Sequence, residues 1–117
     1  MDIVTEESFS PIIPVQKIHS MKEAIEMANS TKYGLGCTIF TKDIERALTA
    51  ADKIKSGTIC VNSPLMENIA APFGGMKQSG IGREHGKEAL DEFCEAKHIF
   101  IDYDYKNKSW WFGKKDE

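Results

Sequence analysis

Thirteen consecutive residues, Pro72-Phe73-Gly74-Gly75-Met76-Lys77-Gln78-Ser79-Gly80-Ile81-Gly82-Arg83-Glu84, place four glycines within nine positions between a proline, a phenylalanine and two basic side chains. Glycine is favoured where the backbone takes positive φ or approaches another group closely. The stretch therefore reads as a tight, shaped excursion that ends by launching a helix. Two phosphate-binding patterns lie near it and neither fits. A dinucleotide fingerprint over residues 80–85 would need glycine where His85 stands, and a strand immediately before it. The spacing from Gly75 to Gly80 suits a P-loop, but Ile81-Gly82 follows where Lys-Ser/Thr is required.

The chain has 117 residues, enough for one domain with a modest core. Its apolar content of 41% and charged content of 28% are those of a globular protein. A net charge of −3 supplies no basic field for nucleic acid. No apolar run is long enough to cross a bilayer, and the N-terminus shows no charged-then-apolar signal pattern, so neither a membrane nor a nucleic-acid partner is expected. Cys37, Cys60 and Cys94 are odd in number and scattered in apolar surroundings, which predicts reduced thiols in a cytoplasmic setting.

Along the chain, residues 12–18 read as a strand, edge-like at Pro14. Ser20-Met21-Lys22-Glu23 is a capping box, and Ala24, Ile25 and Ala28 carry a helix to about Asn29. Tyr33-Gly34-Leu35-Gly36 turns into a strand over residues 37–40. Thr41 is placed to cap a helix whose Ile44, Ala47, Leu48, Ala51 and Ile54 share one face, and Ser56-Gly57 stops it. Residues 58–61 form a β-branched strand. Strand, helix, strand, helix, strand implies an α/β fold with parallel pairing. A long loop over residues 62–82 follows, of the kind tied to function. A helix over residues 83–96, burying Ala89, Leu90 and Phe93, then a strand over residues 98–101 and a polar tail complete the reading.

Together these residues resemble the C-terminal part of NAD(P)-dependent aldehyde dehydrogenases. The resemblance rests on Glu6-Glu7-Ser8-Phe9-Ser10-Pro11, Ala28-Asn29, Tyr33-Gly34-Leu35, Phe40-Thr41, Ser56-Gly57-Thr58, Val61-Asn62 and the whole of residues 72–84, in order from residue 1 to about residue 103. It implies a parallel βαβαβ piece of a three-layer catalytic domain over residues 1–82. A C-terminal helix, an assembly strand and a tail would occupy residues 83–117. Glu7 would accept hydrogen bonds from the nicotinamide-ribose hydroxyls of NAD or NADP, and Phe9 would pack beside the nicotinamide. Phe73 would form part of the wall of the aldehyde tunnel, and Asn62 would help hold that loop. Ser10 stands where glycine is commoner in the family.

In such enzymes a cysteine thiolate attacks the aldehyde, hydride passes to NAD(P)+, and a glutamate activates water to release the acid. The segments that carry this cysteine and glutamate, and the dinucleotide-binding half, have no counterpart here. Met1-Asp2-Ile3-Val4 resembles the interior of the family's chain. The expectation is therefore a fragment, from a truncated frame, a split gene or an engineered piece, inactive by itself and with no catalytic residue of its own. Its partners would be the missing N-terminal half or parent subunits in a homo-oligomer, and the small-molecule aldehyde. A different reading is a non-catalytic binding or assembly module that complements or modulates a separate aldehyde dehydrogenase chain.

Plainer readings stand beside these. On spacing alone Glu7 is a solvated carboxylate and Phe9 and Phe73 are core aromatics. The glycines could serve loop geometry only. Lys77 and Arg83 suit an ion pair or backbone carbonyls better than a phosphate. Cys94-x-x-x-His98 is half a metal site without a second pair. Trp110-Trp111-Phe112 suits docking on a neighbouring subunit better than shallow membrane contact.

Overall fold

The computed structural model of the 117-residue chain describes residues 1–64 and 68–103. In chain order its elements are α1 (Asp2–Thr5), α2 (Met21–Asn29), β1 (Gly36–Ile39), α3 (Ile44–Lys53), β2 (Thr58–Val61), a 3₁₀ turn (Lys77–Ser79) and α4 (Gly86–Asp91). The Trp110-Trp111-Phe112 cluster lies outside the described residues.

The capping box starts α2 as the sequence implies. The Glu23 amide donates to Ser20 Oγ at 3.1 Å, while the Glu23 carboxylate accepts from the His19 amide at 2.7 Å. Helix α3 begins two residues later than expected. Asp43, not Thr41, takes the cap position and accepts from the Arg46 amide at 3.1 Å, while Thr41 Oγ1 accepts from the Asp43 amide. Both side chains are capping types, and the carboxylate lies nearer the first free amides.

β1 and β2 pair in parallel, Gly36 opposite Thr58 through Ile39 opposite Val61, with α3 as the crossover. Parallel pairing was legible because a helix must intervene between such strands. Asn62, at φ 57°, finishes β2 and clasps the loop leaving β1: its Oδ1 accepts from the Thr41 amide at 2.8 Å and its Nδ2 donates to the Thr41 carbonyl at 2.7 Å. Asn29 makes the equivalent clasp at the other end, between Lys53 O and the Lys55 amide. The two asparagines thus tie both ends of the crossover.

Three expectations are corrected. Residues 12–18 and 98–101 form no strand, and the sheet of the described residues has two strands rather than three or four. Pro14 removes a ladder donor from the first segment, and among the described residues neither segment has a partner strand beside it. The last helix shrinks from residues 83–96 to Gly86–Asp91. Its intended first turn is spent on an antiparallel bridge, Phe73 with Glu84, both N–H···O bonds at 2.7 Å. Positive φ at Gly82 and His85 bars helix before Gly86. Leu90 and Phe93, read as buried, are exposed.

The core is small. Ala47 and Ala50 of α3, 1% and 7% exposed, are the buried apolar side chains among the described residues. Ile44 and Leu48, expected on the same face, point outward. Helix α3 turns its small-residue side to its neighbours, where an alanine lets backbones approach closely. No helix among the described residues is long and apolar enough to cross a membrane.

Candidate functional site

The glycine-rich stretch is held by the backbone it approaches. Gly34 is the hub: its carbonyl accepts from the Gly57 amide at 3.0 Å and the Met76 amide at 2.8 Å, and its own amide donates to Ser79 Oγ at 2.8 Å. The Gln78 amide adds a bond to the Lys32 carbonyl. Lys77 Nζ donates to the carbonyl of Thr31 at 2.8 Å, and Arg83 Nη1 donates to those of Gly75 at 3.0 Å and Gly82 at 2.6 Å. Both cations are thus engaged with backbone oxygens, as their plainer reading held. A Cβ on Gly57 would collide with the carbonyl of Gly74, so the loop lies directly against the start of β2.

Glu7 lines a cleft of about 580 Å³ between the N-terminal segment and the body, with Tyr33, Gly34, Lys55, Ser56 and Ser79 around it. Among the described residues two polar contacts attach the segment. Lys32 Nζ meets Glu6 Oε2 at 2.6 Å, and the Glu7 amide reaches Tyr33 Oη at 3.5 Å. Lys32 also sits 5.4 Å from the centre of the Tyr33 ring. The hydrogen bond from Lys32 to Glu6 raises the Lys32 pKa and keeps the ammonium charged. Among the described residues the Glu7 carboxylate accepts no hydrogen bond. It can therefore take two donors from a vicinal diol, as a cofactor ribose presents. Ser56, 7% exposed, lines the same cleft with its Oγ unpartnered.

Phe73 lies elsewhere, in a second cleft of about 830 Å³ with Cys37, Cys60, Asn68 and His85. The two clefts adjoin along Gly36 and Cys37. Glu7 and Phe73 are therefore neighbours across β1 rather than members of one pocket. Phe9 lines neither cleft and is 91% exposed, at φ 47°. His85, whose ring centre is 6.3 Å from that of Phe73, has an Nδ1 that is out of solvent and unpartnered. Sequence reasoning gave His85, Lys32 and Tyr33 no role at a site. The last two meet Glu6 and Glu7 across 26 positions, a separation no local pattern announces.

Cys37, Cys60 and Cys94 are free thiols. Burial first, and Cys60 second, push the Cys37 pKa upward. That is opposite to what a nucleophilic thiolate requires. Among the described residues no group of three or more His, Cys, Asp or Glu is placed to hold a metal ion.

The aldehyde dehydrogenase family model matches residues 1–99. Over 107 residues the chain is 46% identical to retinaldehyde dehydrogenase 3 of Rattus norvegicus, covering 92% of this chain and 21% of that protein. Over 105 residues it is 44% identical to the cytosolic 10-formyltetrahydrofolate dehydrogenase of Xenopus tropicalis, covering 88% and 12%. Among solved structures it superimposes with a TM-score of 0.88 and 45% identity on a point mutant of betaine aldehyde dehydrogenase from Staphylococcus aureus in complex with NAD+. That match covers 97% of this chain and 23% of the other. The chain spans about a fifth or less of the length of these curated relatives.

Proposed function

The chain belongs to the aldehyde dehydrogenase family, and from that premise we propose that it forms the C-terminal part of an aldehyde dehydrogenase active centre. The whole enzyme would oxidise an aldehyde to a carboxylic acid with NAD(P)+. The nucleophilic cysteine and the water-activating base would come from polypeptide other than these 117 residues. When bound, NAD(P)+ takes up the hydride released from the aldehyde carbon. This chain's residues bind and enclose. Glu7 accepts from the nicotinamide-ribose hydroxyls, Phe9 folds against the nicotinamide, and Phe73 walls the aldehyde path. Residues 83–117 contribute to subunit assembly in a homo-oligomer. Free thiols suit a cytoplasmic setting.

The observation that carries this reading is the Glu7 carboxylate, unengaged in its cleft, on a backbone that matches a piece of an NAD+-bound betaine aldehyde dehydrogenase. The test is co-expression with the cysteine-bearing portion of an aldehyde dehydrogenase, followed by aldehyde-dependent NAD(P)H absorbance. Turnover is expected from the pair and not from the 117-residue chain alone. With Glu7→Gln, KM for the cofactor should rise about ten-fold, the order of one charge-assisted bond. Turnover by the chain alone would contradict the reading. Absence of cofactor binding even in the pair would favour the non-catalytic assembly module, a role that the many exposed apolar side chains also suit.

A further inference from the structure

The two adjacent carboxylates at the cleft, Glu6 and Glu7, carry equal charge and differ in what they touch. Glu6 is taken up by Lys32 at 2.6 Å, whereas among the described residues Glu7 is held only through its backbone, its amide directed at Tyr33 Oη at 3.5 Å. Both contacts come from one short stretch, residues 32–33, immediately before the hub glycine that fixes the glycine-rich loop. The ammonium of Lys32 lies within reach of the Tyr33 ring as well, so one side chain braces the carboxylate on one side and the phenol on the other. A competing carboxylate beside Glu7 would draw ribose hydroxyls away or repel the cofactor's negative phosphates. Tying Glu6 down removes that competitor and fixes the peptide from which Glu7 projects.

We infer that Lys32 and Tyr33 are positioning residues for the cofactor: they hold the segment 6–8 so that Glu7, and not Glu6, faces the nicotinamide ribose. This rests on the reading of Glu7 given above. An exposed ion pair is weak in itself, but orientation of a ligating group needs only that one geometry outcompete its neighbours.

The test uses the chain co-expressed with the cysteine-bearing portion of an aldehyde dehydrogenase and compares binding of NAD+ with binding of ADP, which lacks the nicotinamide ribose. Lys32→Met should weaken NAD+ about five-fold while leaving ADP unchanged and kcat within about two-fold, and Lys32→Arg should restore NAD+ affinity. Tyr33→Phe should act in the same direction. Equal weakening of NAD+ and ADP would mean general destabilisation and would overturn the inference, as would no effect on either. Glu7→Gln is the check on the underlying reading. If it leaves the NAD+ to ADP ratio unchanged, the ribose role of Glu7 fails. If it lowers that ratio and Lys32→Met does not, only the positioning role fails. A second measurement needs no partner: in the 117-residue chain, hydrogen exchange at the Glu7 amide should quicken in Lys32→Met. It should stay unchanged in Lys22→Met, which breaks the remote pair with Glu26. Unaltered exchange in Lys32→Met would also overturn the inference.

Discussion

Cys37 shows how a residue's surroundings decide its chemistry. It is half-buried on β1 between the two clefts, and burial favours its neutral thiol. At pH 8 it should be alkylated by iodoacetamide more slowly than the exposed Cys94, and the gap should narrow as pH rises toward its raised pKa. Peptide mapping by mass spectrometry reads both rates. The stability sign follows. The folded pKa lies above the unfolded one, so the contribution is fully present below the ordinary thiol value and is lost as pH rises through the folded value. Faster reaction of Cys37 than of Cys94 at pH 8 would show a thiol activated rather than suppressed. Glu7 and Ser56 make the opposite point, because among the described residues their side-chain oxygens are left without a partner in a cleft.

At the scale of elements, local chemistry was legible and long-range chemistry was not. The start of α2 could be read from four residues because a capping box is a contact between neighbours. Ser20→Ala should accordingly cost about 1 kcal/mol, seen as a lower urea midpoint in the co-expressed protein, whereas Ser20→Asp should restore it. The β-branched run of β2 and the stop at Ser56-Gly57 were equally local. Residues 12–18 misled because their Ile and Val content fits a strand, while strand formation needs a neighbour to bond with. The short α4 misled because Glu84 is claimed by Phe73, a pairing invisible to helical periodicity. On α3 the apolar face was placed correctly at Ala47 and wrongly at Leu48: periodicity gives a stripe, and packing chooses which edge of it is covered. Of the candidate site, Glu7 and Phe73 were singled out through resemblance, and their separation into two clefts came only from the fold.

For the whole molecule, the imbalance between core and surface dominates. Two alanines are buried, while Ile13, Val15, Phe40, Ile44, Ile69 and Phe93 face outward. Apolar surface on that scale seeks cover. The isolated chain should therefore self-associate, its sedimenting mass rising above 13.1 kDa with concentration, and co-expression with the cysteine-bearing portion should suppress this. A single monomeric species at all concentrations would contradict it. The double duty of the Gly34 carbonyl sets a sequence of events as well as a shape. One oxygen receives both the residue that opens β2 and the loop that carries Phe73, and the loop lies against Gly57. Until the two strands have zipped, the loop has no berth. The Phe73 loop is thus the final piece expected to click into register during folding, and the earliest to come adrift under heat or denaturant.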